Sequence, residues 1–326
     1  MSSSNTTNGK AFEYACLSTI LSELQKNNKS VSVIDDAAYQ TAKEKFFSLD
    51  QATQTRYLAS ANSAAKLIFP LEPQLEYGSG ILQLSVNPDA AAMGVEGDVR
   101  DVLCIRSDDW EIGLSCKHNH AALKHPRITA DKDFGKSWIG VANSQDFIAE
   151  ISDTVDVLVE YQKNNVLWKD IEEDKQDMYY VPILNAYKAE INRMCQSSSD
   201  VPARLLSYFF GAKDFYKVIM KESQQTTTIE AFNMSGTLGQ KCGNHRPLVK
   251  IPTLRMPTRL IEADYKQDSQ GNPSKTTIVL IFDGGWTVSM RLHNKDKTVK
   301  PTSLAWDIQL VGLPTDTYVN TRAWYE

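Results

Sequence analysis

The feature that most constrains the fold of this 326-residue chain is a pair of short β-forming runs separated by a polar turn. The runs are Val102–Ile105 and residues 110–116, and residues 106–109 between them read RSDD. Runs of this type on both sides of a polar turn predict an antiparallel β-hairpin. A turn centred near residue 108 places Asp101 opposite Ser115.

The predicted register sorts the side chains of this hairpin into two faces. Side chains alternate between faces along a strand, so Asp101, Ser115 and Lys117 are expected to share one face. The opposite face is apolar and is expected to join the core; it consists of Val102, Cys104, Ile112, Leu114 and Cys116. One carboxylate and one lysine therefore meet at the open end of a two-stranded ribbon.

An aspartate beside a lysine can support metal-assisted hydrolysis of a phosphodiester. Mg²⁺ is usually held by one or two carboxylates together with phosphate and water. The ion polarises a phosphoryl oxygen and helps to deprotonate the attacking water, while a lysine can orient that water and offset charge on phosphorus. We interpret Asp101 and Lys117 in this way. An ordinary surface hairpin with an unrelated Asp and Lys is the alternative.

The spacing of these residues resembles that of the PD-(D/E)xK nucleases. In that superfamily an acidic residue begins one strand, and the (D/E)xK motif ends the next. Ser115 stands where the second acid is expected, so this chain reads D…SxK. Ser115 either contributes a hydroxyl to the site or only lines it. The predicted metal site therefore has one carboxylate fewer than the motif normally supplies.

Glu13 is the residue to which the resemblance assigns the missing carboxylate, because related nucleases often supply an acid from their first helix. Apolar residues at helical spacing predict a helix from Lys10, with Glu13 in its first turn. There it could instead complement the helix dipole. Glu111 is a weaker candidate, roughly 13 Å along the strand from Ser115. Asp98 is another rival, although its position is more typical of a turn.

Longer blocks of the sequence resemble the HaeIII-type restriction endonucleases, a family of that superfamily that cuts DNA at GGCC. The blocks are GKAFEYACL, LSCKHNHAALKHPRIT, MYYVPILNAY and SMRLHNKDKTVKPTSLAWDIQLVGLP. They extend from near residue 9 to near residue 314. The resemblance implies a type II restriction endonuclease that hydrolyses both strands of duplex DNA with Mg²⁺ and leaves a 5′-phosphate. In that scheme Asp101 and Glu13 hold the metal, and Lys117 positions or activates the water.

The charge distribution is compatible with a DNA substrate, although the net charge is −5. Neutralising phosphates requires a local cationic stripe rather than a cationic protein. Two stretches without acidic residues, 115–127 and 239–260, carry three and five lysines and arginines. They fit a groove for a polyanion; a plain solvated face is the alternative.

We therefore expect DNA contacts from basic and polar residues in three places. Arginine and lysine match the N7 and O6 acceptors of guanine, whereas the N4 donor of cytosine needs an acceptor. Prolines interrupt residues 246–259, so this segment is expected to present its side chains from a stiffened loop. The candidates are Lys124, His125, Arg127, Arg246, Lys250, Arg255, Arg259, Arg291, His293 and Asn294.

The expected fold class is α/β (α+β), with a PD-(D/E)xK-type core in which helices flank a mixed central sheet. A β-rich C-terminal portion is expected to carry much of the recognition surface. Residues 1–225 are assigned to the nuclease core with a helical insertion, and residues 226–326 to DNA recognition, packed as one unit with the core. Helices are predicted at 34–67, 144–164, 177–194 and 202–220, and strands at 226–232, 276–282, 286–292 and 304–313.

Composition suggests a soluble protein of the prokaryotic cytoplasm. The chain is 42% apolar and 23% charged, as is usual for globular proteins. It has no apolar run near the roughly 20 residues that cross a bilayer and no signal peptide at its start. Five scattered cysteines favour reduced thiols. Either a monomer or a homodimer is expected, and a palindromic site favours two-fold symmetry.

Three other functions are compatible with the sequence. A structure-specific repair or junction nuclease of the same superfamily would share the hairpin. A non-catalytic DNA-binding protein with a degenerate site is suggested by Ser115. An unrelated binding protein would show no salt-sensitive affinity for DNA.

Overall fold

A computed structural model describes residues 2–88, 98–118 and 122–325. The chain forms two compact units, each assembled from separate segments. The first unit comprises Met1–Ala121, Ala212–Leu254 and Asp316–Glu326, and the second comprises Ala122–Gly211 and Arg255–Thr315. The expected boundary between a catalytic portion and a recognition portion at residue 225 stays a prediction.

The α-helices of the first unit are α1 (Ser2–Lys26), α2 (Ala37–Phe47), α3 (Gln51–Ile68) and α4 (Pro73–Tyr77). Those of the second unit are α5 (Phe134–Ile139), α6 (Gln145–Lys163), α7 (Val181–Ser197) and α8 (Val201–Phe210). The strands are β1 (Val31–Val33), β2 (Leu82–Val86), β3 (Val102–Ile105), β4 (Glu111–His118), β5 (Ala122–Lys124), β6 (Phe215–Lys221), β7 (Thr226–Phe232), β8 (Leu260–Gln267), β9 (Pro273–Phe282), β10 (Thr287–Asn294), β11 (Leu304–Gly312) and β12 (Val319–Ala323).

A seven-stranded mixed sheet organises the described part of the first unit, in the order β1-β2-β3-β4-β6-β7-β12. The pairs β1–β2 and β4–β6 are parallel, and the other neighbours are antiparallel. Helices α1 and α3 pack against this sheet through buried apolar residues. The predicted class, a mixed sheet flanked by helices, is confirmed.

The predicted hairpin is β3–β4, in the predicted register. Leu103 pairs with Gly113, and the strands alternate as expected. The five apolar side chains of its inner face are at most 5% exposed and belong to the main core. On α1, Phe12 and Cys16 are part of the same core. Burial of one whole face fixes the register, because a slip of one residue would turn every apolar side chain outward.

The predicted helix at 202–220 is wrong in its second half. Helix α8 ends at Phe210, and Gly211 has a φ of 87°, a conformation that suits glycine. The apolar run that follows is β6, which pairs with β4 on one side and β7 on the other. A strand that is buried in this way reads as a continuous apolar run, which periodicity alone does not separate from a helix.

An antiparallel five-stranded sheet organises the described part of the second unit, in the order β5-β11-β10-β9-β8. One face is apolar and packs on the helices of that unit, with the Tyr187 and Trp306 rings 4.9 Å apart and the Phe210 and Trp286 rings 5.4 Å apart. Residues 283–285 form the turn of a hairpin that joins β9 to β10, and Gly284 has a φ of 74° there. None of the described helices has both the length and the apolar character needed to cross a membrane.

Candidate functional site

The open end of the hairpin brings Asp101 and Lys117 together. The Asp101 backbone N–H donates to the carbonyl of Leu114, the strand partner of Val102, at 2.7 Å. Its carboxylate Oδ2 accepts from the Cys116 N–H at 2.7 Å and from Lys117 Nζ at 3.4 Å. The side chains of Asp101 and Lys117 are 23% and 15% exposed, so the ion pair is mostly buried but still reaches solvent. The register predicted from the sequence thus produces the expected juxtaposition.

Glu13 on α1 is the second carboxylate at this place. It is 6% exposed and accepts a hydrogen bond from Lys10 Nζ at 3.1 Å. Burial, and then the negative charge of Asp101, raise its pKa to about 8, while Lys10 and Lys117 act in the opposite direction. The carboxyl group of Glu13 therefore lies within electrostatic reach of the Asp101–Lys117 pair.

The position of Glu13 in its helix corrects one expectation. Helix α1 begins at Ser2 rather than at Lys10, so Glu13 lies well inside it. The favourable effect of the helix dipole on an acid decays within the first turn. A role for Glu13 in complementing the dipole is therefore wrong.

Ser115 is fully buried, and its hydroxyl is unsatisfied. Its Oγ has no hydrogen-bond partner among the residues that the structure describes. A buried hydroxyl without a partner costs about 1–3 kcal/mol, so a bound ligand or water is expected to satisfy it. Together with Asp101 and Glu13, Ser115 adds a third hard oxygen donor of the kind that Mg²⁺ prefers.

Lys217 is a residue of this region that the sequence did not suggest. It lies on β6 in register with Ser115 and is 1% exposed. Its Nζ is 3.7 Å from Glu230 Oε2 on β7. Burial lowers its pKa; Glu230 opposes this effect, and the charge of Lys117 adds to it. The signal was a lysine within the apolar run FYKVIM, which the sequence assigned to a helix.

The two alternative acids, Asp98 and Glu111, form ion pairs with Arg100. Arg100, 5% exposed, donates to Asp98 Oδ2 at 2.7 Å and to Glu111 Oε1 at 3.2 Å. Glu111 also accepts from Lys213 Nζ at 2.6 Å. Within the described ranges, no cluster of three or more Asp, Glu, His or Cys residues could hold a metal ion. Of the acids predicted from the sequence, Asp101 and Glu13 are therefore the ones left as candidate metal ligands at the lysine end of the hairpin.

The DNA-contact candidates near β5 make internal contacts in the second unit. Lys124 Nζ donates to the Tyr208 carbonyl at 3.0 Å and lies 3.4 Å from the centre of its ring. Arg127 pairs with Asp296 at 3.2 Å. His125 Nδ1 is 3.8 Å from a carboxylate oxygen of Asp307. Lys124 is therefore held by an aromatic ring of its own unit.

The remaining candidate DNA-contact residues are more exposed to solvent. Arg246, Lys250, Arg255 and Arg259 are all exposed, and residues 246–259 form no helix, as their prolines predict. On β10, Arg291 is 57% exposed and bonds to Asp307 at 3.2 Å. His293 is half-buried, and Asn294 accepts from the Tyr180 hydroxyl at 3.5 Å.

A basic pocket of the second unit was not suggested by the sequence. It has a volume of about 660 Å³, and its lining includes Lys169, Lys175, Lys295 and Lys297. These lysines come from two distant segments, so no run of positive charge indicates them. Asp296 is the acidic residue in the same lining.

Comparison with known proteins gave two matches. The model of the HaeIII restriction endonuclease family matches residues 9–314. The type II restriction enzyme HaeIII of Haemophilus aegyptius is 34% identical over 328 residues, which cover 100% of this chain and 100% of that protein. No solved structure matches the chain.

Proposed function

This chain belongs to the HaeIII restriction endonuclease family, and from that premise we propose that it cuts both strands of duplex DNA at a short palindromic site, GGCC. The observation that carries the proposal is the Asp101 carboxylate, which lies 3.4 Å from Lys117 Nζ at the end of β3–β4. A carboxylate and an ammonium at this spacing suit metal-assisted phosphodiester hydrolysis. Each cut would leave a 5′-phosphate.

Asp101 and Glu13 would hold Mg²⁺ in this enzyme. Two carboxylates that share a poorly solvated place repel each other, and this repulsion contributes to the raised pKa of Glu13. A divalent cation would remove that repulsion, and the unsatisfied Ser115 hydroxyl is a further oxygen donor beside it. When bound, Mg²⁺ would polarise the scissile phosphate and acidify a water.

Lys117 would act on the attacking water and on the phosphate. Its ammonium has three donors, and the Asp101 carboxylate fixes its direction. It can hold a water by one hydrogen bond and offset the negative charge that develops on phosphorus by its own charge. Ser115 would contribute its hydroxyl or line the site.

Each unit would contribute exposed basic residues to DNA binding. In the first unit these are Arg246 and Lys250; in the second they are Arg255, Arg259 and the lysines of the basic pocket. Lysines suit phosphates, because an ammonium acts as a point charge, whereas an arginine fork suits guanine. The palindrome favours two-fold symmetry, as a homodimer or as two successive monomeric cuts.

Digestion of a plasmid of known sequence in Mg²⁺, with the ends mapped, tests this function. Fixed bands whose ends all lie within GGCC and carry 5′-phosphates are expected. Cutting that follows DNA junctions or damage instead of sequence would favour a repair nuclease. Binding without any nicking would favour a non-catalytic DNA-binding protein. Lys117→Ala is the control for contaminating nucleases, since it should remove the bands.

A further inference from the structure

A polar cluster lies on the face of the five-stranded sheet opposite its helices. Along β10 and β11, buried apolar side chains alternate with polar ones, and the apolar face carries Met290, Leu292, Trp306 and Ile308. The polar face carries Arg291, His293, Asp307 and Gln309. Arg291 and Asp307 are directly opposite each other in the antiparallel register. The cluster is therefore built by strand pairing, not by a flexible loop.

Asp307 is the centre of this cluster. Its side chain is 8% exposed, and Oδ2 accepts from Arg291 Nη2 at 3.2 Å and from Gln309 Nε2 at 3.1 Å. Oδ1 has no hydrogen-bond partner among the described residues, and His125 Nδ1 is 3.8 Å from it. One nearly buried carboxylate thus fixes the direction of an arginine and of an amide.

The bond to Asp307 determines what Gln309 presents outward. An ionised carboxylate only accepts hydrogen bonds, so the amide must turn its NH₂ group towards Asp307. The carbonyl Oε1 of Gln309 is then left for an outside donor. In the same cluster Arg291 is 57% exposed and keeps most of its five N–H donors for an outside acceptor. The cluster therefore presents the N–H donors of the Arg291 guanidinium beside the Oε1 acceptor of Gln309.

This donor and acceptor pair matches one base pair. In the major groove a G·C pair presents the O6 and N7 acceptors of guanine beside the N4 donor of cytosine. A phosphate would be a poorer partner, because Asp307 cancels the charge of Arg291 and weakens attraction to an anion. Holding a long side chain in place before binding also reduces the entropy lost on ordering it.

We propose that Asp307 is a positioning residue that holds Arg291 and Gln309 to read one G·C pair of the target site. Arg291 donates to guanine, and Gln309 accepts from the paired cytosine. The proposal rests on the proposed function and deepens it by naming residues that determine specificity.

Cutting rates on GGCC duplexes and on duplexes with one substituted base pair test the proposal. Asp307→Asn, Arg291→Leu and Gln309→Leu should each reduce the preference for G·C at the same single position, by roughly 5- to 150-fold. Preference at the other positions should be unchanged. For Gln309→Leu, which alters no charge, the salt dependence of binding should also be unchanged. Asp200→Asn is the matched control, because it breaks an Asp–Arg pair of 3.2 Å elsewhere on the second unit; it should keep the wild-type preference.

Thermal unfolding shows whether each variant folds. If Asp307→Asn does not fold, Arg291→Leu and Gln309→Leu decide the question, since their side chains reach the surface. Folded variants that keep the wild-type preference at every position would contradict this proposal alone. A wild-type protein that cuts at no fixed site would contradict the proposed function, and this proposal with it.

Discussion

The negative charge of Asp101 raises the pKa of Glu13. Burial makes the larger contribution and Asp101 the next, so that the pKa reaches about 8, against the opposing effect of Lys10 and Lys117. The two acids belong to distant parts of the sequence, and α1 brings one to the end of the hairpin that carries the other. This is the relationship expected of two carboxylates that share a cation.

Removing the charge of Glu13 should increase the metal requirement. For Glu13→Gln we expect the Mg²⁺ concentration that supports half-maximal cutting to rise by about tenfold or more, because one of two carboxylate ligands is lost. Titration of Mg²⁺ in a single-turnover assay measures the effect. Glu23→Gln, an exposed acid on the same helix, should leave the requirement unchanged. An unaltered requirement in Glu13→Gln would exclude Glu13 as a ligand.

Glu72 should make stability depend on pH. It is fully buried, and burial raises its pKa to about 7, although the Tyr216 hydroxyl and the Gly239 N–H donate to it. Between its ordinary value of 4.5 and about 7, the unfolded chain releases this proton and the folded chain keeps it. The free energy of unfolding therefore falls as pH rises through this window, by at most roughly 3 kcal/mol from this group.

Urea unfolding of wild type and Glu72→Gln at pH 4.5 and pH 8 isolates this contribution. The variant has no proton to lose, so its stability relative to wild type should increase by up to about 3 kcal/mol between these pH values. Glu44→Gln, an exposed acid on α2, serves as the control. A difference between wild type and Glu72→Gln that does not vary with pH would contradict the assignment.

The sequence predicted the parts of the site that depend on local pattern. Alternation along two strands fixes which side chains share a face, and one turn fixes the register, so Asp101 and Lys117 could be placed side by side. The start of α1 could not be placed in the same way. Residues 2–9 are polar or small and show no apolar periodicity, so the helix was predicted to begin eight residues late.

Contacts that depend on the order of strands in a sheet could not be predicted from the sequence. Lys217 meets Glu230 only because β6 lies between β4 and β7, and β6 itself was predicted to be helical. Arg291 was a candidate from the sequence, but its partner Asp307 is on β11, as is Gln309, which also donates to Asp307. Nothing local in the chain indicates that β10 and β11 pair in this register.

Lys250 should contribute to affinity without contributing to specificity. It is exposed in the acid-free stretch, and a lysine there is expected to contact phosphate. For Lys250→Ala we expect weaker binding to all duplexes alike and a reduction of about 1 in the slope of log K against log salt. Filter binding at several salt concentrations measures both. Lys163→Ala on α6 is the control, and a loss confined to GGCC duplexes would instead indicate a base contact.

Lys117→Ala tests the central claim most directly. Single-turnover cutting of a GGCC duplex in Mg²⁺ should fall by at least about 100-fold, because the group that orients the water and offsets phosphate charge is lost. The Kd for the same duplex, measured without Mg²⁺, should change by only a few-fold, and Lys213→Ala at the turn end of the hairpin should cut normally. A near-normal cutting rate in Lys117→Ala would contradict the assignment of the Asp101–Lys117 pair as the catalytic centre.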